Sequence, residues 1–119
     1  MRTIIAGSRN VKKYETVVTA IRQAVVKGFR PTCIISGGAI GVDTLGEKFA
    51  REFGFALEVY PADWNKYGNR AGVIRNEEMA KDADALIAIW DGKSKGTKHM
   101  IDVANRLGLP TYVYEVQNG

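Results

Sequence analysis

The sequence is poor in the residues that crosslink a chain, chelate metals or anchor it in a bilayer. Cys33 is the one cysteine among 119 residues, so no internal disulfide forms, and its place in the run Cys33-Ile34-Ile35 reads as a buried structural thiol. His99 is the one histidine. One histidine and one cysteine do not make the ligand set of a structural zinc site, and neither a metal nor another cofactor is expected. No apolar run approaches the roughly 20 residues of a membrane span. A strand follows Met1 so closely that no secretory leader is expected, and a reducing cytoplasm is the expected compartment. A dense block of one charge is missing too: 17 Lys and Arg against 13 Asp and Glu leave a net +4, spread along the chain. That balance suits an anionic ligand and does not require nucleic acid. Without repeats or linkers, and with 45% hydrophobic residues, residues 1–119 read as one domain that buries about two-thirds of its unfolded surface.

What is present is a regular alternation. Thr3-Ile4-Ile5-Ala6 is a short apolar run ended by Gly7-Ser8-Arg9-Asn10, the pattern of a buried strand. Tyr14, Val17, Val18, Ile21, Ala24 and Val25 follow at helical spacing, with Gly28 as the stop. Cys33-Ile34-Ile35 gives a second strand, Val42 to Phe53 a second helix closed by Gly54, and Ala56 to Tyr60 a third strand stopped by Pro61. Residues 62–72, rich in Gly, Asn and aromatics, read as irregular. A third helix is expected to begin near Arg75. Ala85-Leu86-Ile87-Ala88-Ile89-Trp90, the most continuous apolar run, is expected to be the central fourth strand. Met100, Ile101, Ala104 and Leu107 mark the last helix, opened by Gly96-Thr97, and Thr111 to Tyr114 the fifth strand. Five strands alternating with four helices predict a three-layer α/β/α sandwich around a five-stranded parallel sheet. Right-handed crossovers give strand order 3-2-1-4-5, with the switch point between the first and fourth strands. Ligands of such sheets sit at the carboxyl ends of the strands beside that point. The turns 7–10, 36–43 and 91–97 are therefore expected to converge on one crevice, with residues 61–72 folded over it.

The turn from Ser36 to Asp43 carries Gly37, Gly38 and Gly41 between a strand and a helix, where backbone N–H groups and the positive end of the helix dipole can meet a phosphate. Asp43, in the first helical turn, suits a hydrogen bond from a ribose hydroxyl or an amine. Arg9, leaving the first strand, is placed to pair with a phosphate. Arg75 at a helix start is unfavourable on dipole grounds, and a bound anion would offset that cost. Gly96 and Thr97 make a second anion seat, flanked by Lys93, Lys95 and Lys98. Trp64 and Tyr67 are the candidates for stacking on a base; Trp90, at the end of the central strand, suits a core role at least as well, and His99, on the first turn of the last helix near the crevice, reads first as a surface residue. Two common phosphate motifs fail. Gly92-Lys93-Ser94 resembles the end of a P-loop, but Ile87 stands where its first glycine belongs, and Gly37 to Gly41 has the wrong spacing for a dinucleotide fingerprint.

Taken in order, Gly7-Ser8-Arg9, Ser36 to Asp43, Tyr60-Pro61-Ala62-Asp63-Trp64, Arg75-Asn76-Glu77-Glu78-Met79 and Gly92 to Thr97 resemble the small YspA/YpsA-related members of the SLOG superfamily. The resemblance implies a Rossmann-like domain that binds nucleotides or their derivatives, often in phage and bacterial conflict or signalling systems, and often as a homodimer. It implies ligand contacts from Gly7, Ser8, Arg9, Ser36, Gly37, Gly38, Gly41, Asp43, Arg75, Asn76, Gly96 and Thr97. The related Lonely Guy phosphoribohydrolases cleave the base from nucleoside 5′-monophosphates. Arg75 and Met79 match their helix pattern and Gly96-Thr97 part of their glycine-rich turn, but His99 and Met100 stand where glutamates are expected. If the chain is an enzyme of that type, Glu77 or Asp43 is the substitute carboxylate. Ser36, Gly37, Ala39, Gly41 and Asp43 are also similar to a segment of the DNA-processing protein A family, which makes a single-stranded nucleic-acid module the third reading. The leading expectation is a nucleotide-binding sensor or sequestering module.

Overall fold

The computed structural model describes residues 1–117. Its elements run β1 (Arg2–Gly7), α1 (Tyr14–Val26), β2 (Cys33–Ser36), α2 (Val42–Phe53), β3 (Ala56–Val59), α3 (Trp64–Tyr67), a 3-10 turn (Gly68–Arg70), α4 (Ala71–Asp82), β4 (Ala85–Trp90), α5 (Lys95–Arg106) and β5 (Thr111–Glu115). The five strands form one all-parallel sheet of order β3-β2-β1-β4-β5, the Rossmann-like arrangement expected from the alternation. β1 and β4 lie at the centre in the register Ile4↔Leu86, Ile5↔Ile87 and Ala6↔Ala88. Ala85 to Ile89 are all buried, as a strand covered on both faces requires.

Alternate residues of each strand supply two separate cores. Ile5, Ile34, Ile87 and Ile89 pack with Val17, Ile21, Val42 and Phe49 under α1 and α2. Ile4, Ile35, Leu86 and Ala88 pack with Met79, Met100 and Val103 under α4 and α5. Each fully buried Ile, Leu or Met side chain contributes on the order of 2 kcal/mol from removal of apolar surface from water. α2 sits especially close to the sheet. A Cβ on Gly46 would lie 2.9 Å from Ile5 Cγ2, so glycine's helix penalty of about 1 kcal/mol is accepted in exchange for a close approach. At the edge, Arg2 pairs with Glu58 of β3, and the Tyr60 hydroxyl donates to Asp82 Oδ2 at 2.7 Å.

One expected boundary is corrected. The stretch read as irregular to Gly72 contains α3, begun by an Asp63 carboxylate that accepts the Lys66 N–H at 3.1 Å, then the 3-10 turn. α4 begins at Ala71, so Arg75 lies a full turn inside it. No described helix is long and apolar enough to cross a membrane.

Candidate functional site

Three turns leave the carboxyl ends of β1, β2 and β4, and buried Ser8 ties them together. Its N–H donates to Ile89 O at 3.1 Å, its Oγ accepts the Asp91 N–H at 3.1 Å, and its carbonyl accepts the Val42 N–H at 3.4 Å. The backbones meet so closely that side chains are excluded. A Cβ on Gly7 would collide with the Ile89 carbonyl and lie 2.7 Å from Val42 Cγ2. Gly41 has φ +83°, and a Cβ there would stand 2.6 Å from the Ser8 carbonyl oxygen and from Arg9 Cα. Gly41 therefore serves the contact between two turns.

The turn after β2 uses part of its own hydrogen-bonding capacity. The Gly38 N–H donates to Ser36 Oγ at 3.1 Å, Ser36 Oγ donates to Glu47 Oε2 at 2.7 Å, and the Ala39 N–H donates to Asp43 Oδ2 at 3.2 Å. Asp43 is 6% exposed. Burial pushes its carboxyl up to about 6, against the Ala39 N–H and the guanidinium groups of Arg75 and Arg9, which favour the charged form; Glu47 adds to the rise.

Arg75 reaches this turn from α4. Its Nη1 donates to Gly37 O at 2.6 Å and its Nε to Asn76 Oδ1 at 3.1 Å. A Cβ on Gly37 would lie 2.6 Å from Nη1 and 2.9 Å from Asp43 Oδ2, so the missing side chain at residue 37 makes room for the arginine. Inside the helix, the dipole cost expected at a helix start does not apply to Arg75. Burial instead lowers its pKa; Asp43 opposes that change and Arg9 adds to it. Asn76 is buried, with Nδ2 at 3.3 Å from Gly96 O and 3.0 Å from His99 Nδ1.

The third turn is organised by Asp91, a residue within the expected turn 91–97 that was not among the expected site residues. Its Oδ1 accepts the N–H groups of Lys93 and Ser94, both at 2.8 Å. These two bonds hold its carboxyl below the usual range, Ser94 contributing most. An Asp two and three residues ahead of those donors is a turn signature that could have been read. Ser94 caps α5 by accepting the Thr97 N–H at 3.3 Å, and its Oγ lies 3.0 Å from Thr97 Oγ1.

The three turns enclose a cavity of about 550 Å³, within the range of small-molecule sites. Of the expected site residues, Gly7, Ser8, Arg9, Asp43, Arg75, Asn76, Gly96 and Thr97 line it, together with Trp64. Asn69, Asp91, Lys95 and His99 also line it. Gly37 and Gly38 instead line an adjoining cavity of about 360 Å³, which shares Arg9, Ala39, Trp64 and Arg75 with the first. Ser36 and Gly41 line neither cavity. Nor does Tyr67, whose ring lies 5.1 Å from Lys66 Nζ. Trp90 donates its indole N–H to Ser94 O at 3.1 Å. Glu77 also lies outside both cavities. It pairs across to α5, with Arg106 Nη2 at 3.2 Å from its Oε1, because its position on α4 turns it away from Arg75. Of the two carboxylates singled out in the sequence, only Asp43 borders the crevice.

A family model described as YAcAr, the YspA, cpYpsA-related SLOG family, matches residues 1–67, which carry the first two turns and Trp64. The chain is 36% identical over 115 residues to the Gene 61 protein of Mycobacterium phage D29, with 92% of each chain covered. No solved structure matches it. A family match over more than half the chain and a relative similar over nearly its whole length lead to one conclusion: the chain belongs to the YspA, cpYpsA-related SLOG family.

Proposed function

We propose that the crevice binds a nucleotide or nucleotide-derived ligand, its phosphate held by Arg9, Arg75 and the start of α5, and its base lying against Trp64. The observation that carries this reading is Arg75. Its guanidinium is half-buried between two cavities, beside Arg9, and the carboxylate near both is Asp43, whose own burial favours the neutral form. Arg9, Arg75 and Lys95 line the crevice against Asp43 and Asp91, and a lining with this excess of positive charge suits an anionic ligand. Trp64, half exposed and bordering both cavities, offers a ring face of the kind that stacks on bases. In this reading the protein senses or sequesters its ligand.

Asp43 favours a second reading at the same site. A carboxyl with a pKa of about 6 suits general acid–base chemistry near neutral pH. In N-glycoside hydrolysis the C1′–N bond breaks, Asp43 would give its proton to the leaving base, and water would add hydroxide to C1′ while its remaining proton returns to the Asp43 carboxylate.

A thermal-shift screen of nucleoside 5′-monophosphates against their nucleosides, followed by product analysis, separates the readings. Stabilisation with the nucleotide intact supports binding, and release of free base supports hydrolysis. Arg75→Ala is expected to weaken monophosphates by about tenfold or more while changing nucleosides little. Equal losses would remove Arg75 from the phosphate site. Absence of any nucleotide effect, with salt-sensitive binding of single-stranded DNA, would overturn both readings.

A further inference from the structure

Asn76 joins three groups, and two of them have fixed polarity. Its amide lies 3.1 Å from Arg75 Nε through Oδ1, and 3.3 Å from Gly96 O through Nδ2. A guanidinium N–H only donates and a carbonyl oxygen only accepts. Turning the amide over would set its NH2 against the Arg75 N–H and its oxygen against the Gly96 carbonyl. Both contacts would become repulsive, so the orientation of this buried side chain is settled without reference to His99. Nδ2 therefore donates to the third group, His99 Nδ1, at 3.0 Å.

The tautomer of His99 follows. In the neutral imidazole one ring nitrogen accepts and the other carries the hydrogen. With Nδ1 accepting from Asn76, the hydrogen sits on Nε2. Among the described residues Nε2 has no hydrogen-bond partner, and His99 lines the larger of the two cavities. Arg9, Arg75 and Lys95 line that cavity against Asp43 and Asp91, and this excess of positive charge favours an anionic oxygen of a ligand as the partner of this hydrogen.

We infer that His99 is a specificity-determining residue of the nucleotide site: held as the Nε2–H tautomer by Arg75 acting through Asn76, it donates to a phosphate oxygen of the ligand. The inference rests on the nucleotide-binding reading above and adds to it a further donor, set at a fixed spacing from Arg75 by a single amide. A ligand with a phosphate oxygen at that place satisfies both ends of the bridge. A nucleoside leaves the His99 end unsatisfied.

His99 is the one histidine of the chain, so labelling histidine with carbon-13 and nitrogen-15 gives the NMR spectrum of this ring alone. At mildly alkaline pH the expected pattern is an unprotonated Nδ1 and a protonated Nε2. Asn76→Asp, which places an acceptor opposite Nδ1, is expected to move the hydrogen to Nδ1. With 5′-AMP as the probe, the Nε2 signal is expected to shift, whereas adenosine leaves it in place. His99→Ala is expected to weaken 5′-AMP by about 10- to 100-fold, the loss of a hydrogen bond to a charged group. His99→Gln, with an amide N–H near the position of Nε2, is expected to keep most of the affinity. A hydrogen on Nδ1 in the natural chain overturns the inference. So does an Nε2 signal that 5′-AMP leaves unmoved while Arg75-dependent thermal stabilisation shows that it binds; the nucleotide reading then survives. If neither 5′-AMP, another nucleoside monophosphate nor inorganic phosphate binds, the nucleotide reading fails and the role of His99 fails with it.

Discussion

Replacing Asp43 with Asn should remove one contribution to stability that falls as pH rises, its size set by the burial of the carboxyl. Burial raises the carboxyl from its ordinary 3.8 to about 6. Between those values the folded chain keeps a proton that the unfolded chain has lost, so this group makes stability fall as pH rises through the window. The loss is complete above the folded value. At roughly 1.4 kcal/mol for each tenfold change in proton affinity, it totals about 3 kcal/mol, a large share of the 5–15 kcal/mol that holds a typical domain folded. Asn has the same shape, keeps an oxygen to accept the Ala39 N–H, and does not ionise in this range. Urea unfolding of both proteins at about pH 4 and about pH 7.5 isolates the effect. The stability of Asp43→Asn minus that of the natural chain should rise by roughly 2 kcal/mol across that interval. A constant steric or hydrogen-bonding cost of the amide enters both measurements and cancels in the comparison. A difference that stays flat, or falls, would refute the reasoning by showing that Asp43 ionises in the folded chain as it does in the unfolded one.

Gly41→Ala combines φ +83° with a Cβ 2.6 Å from backbone atoms of the first turn, and should cost more than about 3 kcal/mol in denaturant unfolding. Gly28→Ala, at φ +111° with open space around it, should cost clearly less, and equal costs would mean that backbone conformation alone requires Gly41. Glu77→Ala breaks an ion pair between groups that are 39% and 62% exposed; stability should change by less than about 1 kcal/mol and nucleotide affinity should hold, while a loss of binding of about tenfold or more would return Glu77 to the site.

The sheet was readable because each strand is an apolar run bounded by glycine, proline or charge, and because the run from Ala85 to Ile89 is too uniformly apolar to lie anywhere but the centre. The turns were readable for the same reason: Gly7 and Gly41 interrupt those runs where backbones must touch. The start of α4 was not. Ala71 has no side-chain cap from Arg70 before it, and Gly68 and Gly72 read as breakers. Yet Gly72 sits within the helix, where even a Cβ would clear Trp64 by 3.7 Å. The roles of Glu77 and Asn76 were equally hidden, since adjacent positions on α4 face different neighbours. Glu77 meets Arg106, whereas Asn76 meets Gly96 and His99, and all three contacts span 20 or more residues of sequence. Local periodicity reports which face of a helix is apolar, and it carries no information about which polar groups meet across two helices.

Ser8 gives the crevice two parts with different tolerance to change. The floor is made of backbone contacts between the turns, and a substitution at Gly7, Ser8 or Gly41 disturbs every turn that the residue joins. The rim from Trp64 to Gly72 is mostly exposed and lines the crevice through Trp64, Asn69 and Gly72. Variation can therefore accumulate in the rim while the floor stays as it is, so that one frame could be refitted to different ligands without being rebuilt.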